Sequence, residues 1–129
     1  MNTELRLLTF SVVLGIVQLF LGVIASTAVR GSKWNMGNRE DSVPPLSGAP
    51  ARINLAFENF KETFPLFAAA VLLVYATGRF SSLSALGAQL YFFGRVAYLP
   101  VYAAGIKGLR SLVWMVSMAG IVLVLAALF

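Results

Sequence analysis

The chain has 129 residues, of which 59% are hydrophobic and only 12% are charged. About a quarter of the residues of a soluble domain are charged, so this composition indicates an integral membrane protein. The absence of Cys and His excludes disulfides, thiolate metal sites, a Cys nucleophile and a His-based triad, and we predict no metal site. The formal charge of +5 forms no continuous patch, so we expect no nucleic-acid partner.

Four apolar stretches predict four transmembrane helices, at residues 5–29, 53–77, 83–104 and 109–129. Each approaches or exceeds the roughly 20 residues that a helix needs to cross the hydrocarbon. The first stretch is too long for a signal-peptide core, so we expect it to be retained. The sequence therefore predicts an all-α fold, a single four-helix membrane bundle over residues 1–129. Residues 30–52 are rich in Gly and Pro and are predicted to form a cytoplasmic loop, either a cap over a site or a solvated linker.

The basic residues beside the connections predict the orientation of the bundle. Six lie beside the first and third connections: Arg30, Lys33, Arg39, Arg52, Lys107 and Arg110. Only Arg6 and Arg79 lie on the opposite side. Because Lys and Arg accumulate on the cytoplasmic side, we expect both termini on the non-cytoplasmic side.

Two charged residues lie within apolar stretches, Glu62 in the second and Arg95 in the third. A charge at such a position costs roughly 2.5–3.5 kcal/mol on insertion scales. Each lies about ten residues, or roughly 15 Å, from the predicted cytoplasmic end of its helix, so we expect the two side chains to be neighbours. Two interpretations remain open: the charges neutralise each other and fix the helix register, or they form part of a ligand site.

Further polar side chains share a helix face with each of these charges. On the second helix they are Arg52, Asn59 and Glu62, and on the third they are Tyr91, Arg95, Tyr98 and Tyr102. We expect Tyr91 to be a packing residue or to have its hydroxyl satisfied by a neighbour, and Tyr98 and Tyr102 also suit the membrane interface. Guanidinium groups bind carboxylates and Asn pairs with peptide units, so this mixture suits a small anionic ligand that contains amides.

Two motifs resemble the MAPEG family, the membrane-associated proteins in eicosanoid and glutathione metabolism. One is Asn59-x-x-Glu62-x-Phe64-Pro65-x-Phe67, and the other is Arg95-x-x-Tyr98-x-x-x-Tyr102 followed by Leu109-Arg110-Ser111. The resemblance implies a homotrimer of four-helix subunits that binds glutathione between neighbouring subunits near the cytoplasmic face. The family includes glutathione transferases, leukotriene C and prostaglandin E synthases, and a non-enzymatic arachidonate-binding member.

The resemblance also implies roles for individual residues. Asn59 and Glu62 would hold the peptide part of glutathione, Arg95 and Tyr98 would contribute from the third helix, and Tyr102 would contact the ligand near its thiol-bearing half. Arg110 would be the catalytic cation that stabilises the thiolate, or else a positive-inside anchor. Family members commonly carry an Arg four residues before the motif Asn, where this chain has Leu55. Arg52, one heptad before Asn59, is the residue that would replace its contact with the ligand carboxylate.

These observations predict a bacterial-type MAPEG protein of the inner membrane. Its predicted function is that of a glutathione-dependent transferase or peroxidase, which acts on lipophilic electrophiles that reach it through the membrane lipids. The alternative is a non-catalytic lipid-binding or scaffold protein on the same fold, which Leu55 favours. A third class is a small multidrug transporter in which Glu62 exchanges protons for cationic drugs. We rank this class lower, because an Arg at similar depth would repel cations.

Overall fold

The computed structural model describes residues 2–37 and 45–129, and the described residues form helices joined by short connections. The helices are α1 (Thr3–Arg30), α2 (Ser32–Met36), α3 (Gly48–Thr77), α4 (Ser82–Ala104) and α5 (Lys107–Ala126). Arg39, one of the six basic residues that predict the orientation, lies outside the described residues. The all-α prediction is confirmed, and α1, α3, α4 and α5 correspond to the four predicted stretches.

The second long helix begins earlier than predicted, at Gly48 instead of residue 53. The prolines of the predicted loop were expected to prevent a helix, but Pro50 lies in the first turn of α3. A proline is tolerated there, because the backbone N–H groups of the first turn form no intrahelical hydrogen bond. The segment predicted as a loop also contains the short helix α2. The connection between α1 and α3 is therefore shorter than residues 30–52.

Three helices, α1, α3 and α5, are long and apolar enough to cross a membrane by length and composition. The fourth long helix, α4, has 23 residues, which is also enough to span the hydrocarbon. Its sequence contains Arg95 and three tyrosines, and these residues lower its mean hydropathy. Of these four side chains, Tyr91, Arg95 and Tyr98 are buried in the bundle.

The surface of the bundle is more apolar than that of a soluble protein. Large apolar side chains such as Phe20, Ile24 and Val122 are exposed, as expected for a surface that contacts lipid. The fully buried side chains include Arg95 and Gln18 together with three serines, Ser11, Ser84 and Ser117. Buried polar groups of this kind join neighbouring membrane helices through hydrogen bonds and close packing.

The closest helix contact lies between α4 and α5 and depends on two glycines. A Cβ atom on Gly87 would lie 2.5 Å from the carbonyl oxygen of Gly120, and one on Gly120 would lie 2.5 Å from the carbonyl oxygen of Gly87. About two helical turns further along the same face of α4, a Cβ atom on Gly94 would lie 3.1 Å from Cβ of Ser117. The small residues thus allow the two backbones to approach each other, which fixes the position of α4 against α5.

Hydrogen bonds and ring contacts join α4 to the other two long helices. The Tyr91 ring stacks on Phe67 of α3 at a centroid distance of 4.1 Å, and its hydroxyl lies 3.0 Å from Oγ1 of Thr63. This agrees with the predicted packing role of Tyr91. At the opposite end of the bundle, the Ser84 hydroxyl donates a hydrogen bond to the buried carboxylate of Glu4 in α1.

Candidate functional site

A groove of about 510 Å³ lies between α3, α4 and α5. Below we call it the main groove, and its lining residues are Leu55, Glu58, Asn59, Glu62, Tyr98, Tyr102, Arg110, Ser111, Trp114 and Met115. Five of the predicted site residues are among them: Asn59, Glu62, Tyr98, Tyr102 and Arg110. The spacing of these residues on their helices therefore brings most of the predicted site to one surface.

The wall from α3 carries residues spaced by three or four positions, which places them on one helix face. Asn59 is half-buried, whereas Glu58 and Glu62 are exposed towards the groove. Glu58 Oε1 forms an ion pair with Nζ of Lys61 at 2.7 Å. Both side chains of this pair are more than half exposed, so the pair contributes little to stability.

The partner of Arg95 is Asn59 and not Glu62. Nη1 of Arg95 donates a hydrogen bond to Oδ1 of Asn59 over 2.8 Å, and Glu62 forms no ion pair with any described residue. Of the two interpretations left open, the one in which Glu62 and Arg95 neutralise each other is therefore wrong. The reason is angular: Glu62 follows Asn59 by three residues and points about 60° away around the helix, into the groove, while Asn59 faces α4.

The guanidinium of Arg95 is almost completely buried, at 1% exposure. Its Cζ lies 4.1 Å from the ring centroid of Tyr98 and 5.8 Å from that of Phe60, and both rings offer cation–π contacts. Nε and Nη2 have no hydrogen-bond partner among the described residues. Arg95 does not line the main groove itself, but it supports the Tyr98 ring that does.

From Tyr98 a chain of ring contacts leads along the groove to Arg110. The Tyr98 and Tyr102 rings meet edge to face, with centroids 5.4 Å apart and an interplanar angle of 76°. Cζ of Arg110 lies 4.8 Å from the ring centroid of Tyr102. The aromatic contact holds the Arg110 guanidinium at the groove, so its charge is available to a bound anion.

Arg52 lies outside the main groove. Its Nε donates a hydrogen bond to the carbonyl oxygen of Ala103 over 2.9 Å, near the C-terminal end of α4. Arg52 lines a smaller cavity of about 270 Å³ that we call the corner cavity, together with Tyr102, Gly105, Ile106, Lys107 and Arg110. Tyr102 and Arg110 therefore separate Arg52 from the main groove. Because position 55 is a leucine, the part of the groove wall around it has no cation.

Sequence reasoning assigned no site role to several residues of the main groove. Trp114 and Met115 follow Arg110 and Ser111 by four residues, so the helical period could have placed them on the same face. The contact between Glu4 and Ser84 was also missed, because they are 80 positions apart and only the tertiary fold brings them together.

Comparison with known proteins identifies one family. A model of the MAPEG family matches residues 7–129, which is nearly the whole chain. Neither the curated proteins nor the solved structures include a match to the chain.

Proposed function

The chain belongs to the MAPEG family, and from this premise we propose that it is a membrane glutathione-dependent transferase or peroxidase that acts on lipophilic electrophiles. One observation carries the proposal. Asn59, Glu62, Tyr98, Tyr102 and Arg110, which two short motifs predict as ligand contacts, all line the main groove. If Glu62 and Arg95 served only to neutralise each other, these five side chains would not need to line one groove.

The chemistry of the main groove fits glutathione. Its volume of about 510 Å³ is within the range of small-molecule sites. The Asn59 amide can pair with a peptide unit, and the exposed carboxylate of Glu62 can accept hydrogen bonds from an ammonium group. The guanidinium of Arg110 supplies positive charge at the other end of the groove, beside the tyrosines.

Glutathione, when bound, supplies the thiolate nucleophile for conjugation or peroxide reduction. Arg110 would stabilise that negative charge, because a thiol beside a guanidinium ionises at lower pH than a free thiol with a pKa of about 8.5. The Tyr102 ring would keep the guanidinium in place, and Arg110 need not transfer a proton itself. Asn59 and Glu62 would orient the peptide part of the ligand.

The lipophilic partner would approach along the apolar wall of the groove. Met115 is 63% exposed and faces the surface that we assign to lipid. An electrophile dissolved in the bilayer would thus reach the groove without crossing water.

We further propose the assembly and location that the family resemblance implies. These are a homotrimer, glutathione bound between neighbouring subunits, and a bacterial inner membrane with both termini on the non-cytoplasmic side. The exposure of Leu55, Glu58 and Glu62 on one groove wall supports a neighbouring subunit, because such a partner would cover that wall. Lipids would contact the remaining apolar surface.

The test uses purified full-length protein in detergent micelles. We expect it to bind glutathione, to develop thiolate absorbance with it, and to conjugate a lipophilic electrophile. Arg110→Ala is expected to reduce thiolate formation and conjugation about ten- to a hundredfold, as for a thiol pKa that rises by one to two units. Arg6→Ala removes an exposed arginine from the opposite side and is the matched control. Wild-type protein that binds no glutathione would refute the proposal.

The alternative is a non-catalytic lipid-binding or scaffold protein on the same fold. Two observations favour it: Leu55 gives the main groove an apolar wall, and a second groove of about 380 Å³ between α1 and α3 is lined mostly by apolar residues. Wild-type protein that binds glutathione or lipid but conjugates nothing would support this alternative. A multidrug transporter gains no support, because Arg110 lines the same groove as Glu62 and would repel cations.

A further inference from the structure

The corner cavity concentrates positive charge at the turn between α4 and α5. Its lining residues include three cations, Arg52, Lys107 and Arg110, and no acidic side chain from residues 2–37 or 45–129 lines it. Cations that share a small cavity repel one another, and an anion among them would remove this cost. The cavity therefore has the positive charge expected of an anion site. Arg52 and Lys107 do not line the main groove, so the function proposed for that groove does not explain this charge.

The start of α5 adds to this positive charge. The helix has Ile106 as its N-cap, which gives no side-chain hydrogen bond, and its first turn contains no acidic residue. Lys107 and Arg110 occupy that end instead, although the helix dipole already makes it positive. The first N–H groups of the helix have no intrahelical partner, and a Cβ atom on Gly108 would meet nothing within 4 Å. An anion could therefore approach the backbone here.

Arg52 of α3 is held against the turn between α4 and α5. Its Nε bonds the Ala103 carbonyl, and a Cβ atom on Gly105 would lie 3.5 Å from its Cζ. Gly105 has a positive φ of 77°, which a side chain rarely adopts. The guanidinium of Arg52 thus stays in contact with the backbone of the turn. Its two Nη groups take no part in the hydrogen bond to Ala103.

The corner cavity adjoins the main groove, because Tyr102 and Arg110 line both. Resting on the proposed function, we propose that the corner cavity is an oxyanion subsite that binds the glycyl carboxylate of glutathione through Arg52, Lys107, Arg110 and the N-terminus of α5. Fewer bonds separate this carboxylate from the thiol than separate the γ-glutamyl carboxylate from it, so it can reach past Arg110.

Lys107→Gln is the discriminating variant, because Lys107 is exposed and its removal leaves the Ala103 bond of Arg52 intact. Lys33→Gln is the control, since Lys33 is also exposed and lines neither cavity. Calorimetry with full-length protein in micelles should give about tenfold weaker glutathione binding for Lys107→Gln, as for one lost charge-assisted hydrogen bond, and no change for Lys33→Gln.

The ethyl ester of the glycyl carboxylate identifies the group that is bound. Wild-type protein should bind this ester more than about tenfold more weakly than glutathione, whereas Lys107→Gln should show a smaller difference, because Arg52, Arg110 and the helix N-terminus remain. If the wild type does not distinguish ester from acid, or if the variant binds glutathione as tightly as the wild type does, the carboxylate assignment is overturned while the proposed function stands.

Inorganic phosphate tests the site independently of glutathione. With phosphate present, acylation of Lys107 by an amine-reactive reagent should slow about tenfold relative to Lys33, measured by mass spectrometry of the full chain. Protection without glutathione binding would support the oxyanion subsite and refute the proposed function. If phosphate does not change the acylation rate of Lys107 relative to that of Lys33, the subsite is overturned.

Discussion

Nη1 of Arg95 donates a hydrogen bond to Oδ1 of Asn59 over 2.8 Å, and this contact joins α4 to α3 behind the main groove. A neutral amide is the sole hydrogen-bond partner of this buried guanidinium among the described residues. The Tyr98 face covers the remaining charge. Arg95 is therefore sensitive to the residue at position 59.

Asn59→Leu should destabilise the protein. The substitution removes the acceptor and leaves the buried guanidinium without a hydrogen-bond partner, which costs about 1–3 kcal/mol or more in the free energy of unfolding. Asn59→Asp keeps the acceptor and adds a counter-charge, so it should be at least as stable as the wild type. Thermal unfolding in micelles measures both variants. Equal midpoints for Asn59→Leu and the wild type would contradict the assignment of this contact.

Gly120→Ala should destabilise the contact between α4 and α5. The new Cβ would lie 2.5 Å from the Gly87 carbonyl oxygen and 2.6 Å from the Tyr91 nitrogen, so the helices must separate. Overpacking of this kind costs about 1–3 kcal/mol. Gly108→Ala is the matched control, because its Cβ meets nothing within 4 Å and alanine favours helix. A comparison of unfolding midpoints should place Gly120→Ala below the wild type and Gly108→Ala at or above it.

Glu4→Ala should be more destabilising than Glu58→Ala. Glu4 is buried and accepts the Ser84 hydrogen bond, so its loss leaves a cavity and removes a charge-assisted hydrogen bond between α1 and α4, at about 1–3 kcal/mol. Glu58 pairs with Lys61 on an exposed face, where such pairs contribute about 0–1 kcal/mol. Unfolding in denaturant compares the two variants directly. A larger effect of Glu58→Ala would show that the Glu4 contact does not hold α1 against α4.

Leu55→Arg should strengthen glutathione binding if the proposed function is correct. Leu55 lines the main groove and is half exposed, so a longer cationic side chain fits without burial. A partly exposed ion pair adds up to about 1 kcal/mol, or about two- to fivefold in affinity. Leu55→Met changes the side chain without adding charge and serves as the control in calorimetry. Equal gains from both substitutions would exclude a carboxylate at this wall.

Much of the fold and of the candidate site could be predicted, because helical periodicity and apolar length determine both. The four long helices follow from the apolar stretches, and the shared face of Asn59 and Glu62 follows from their spacing. The hydrogen-bond partner of Arg95 did not follow, because depth in the membrane places two residues at one level but does not specify which faces the neighbouring helix. The bond of Arg52 to Ala103 depends on where α4 ends, which spacing along α3 cannot give.

The close contact of Gly87 with Gly120 also bears on how the chain enters the membrane. Of the four long helices, α4 alone is not a candidate span by its own hydropathy, and the described connection to α5 is only Gly105 and Ile106. A helix that carries Arg95 gains little by entering lipid alone, but it can do so when an apolar helix covers its polar face. We therefore expect α4 and α5 to insert together as one hairpin during biosynthesis.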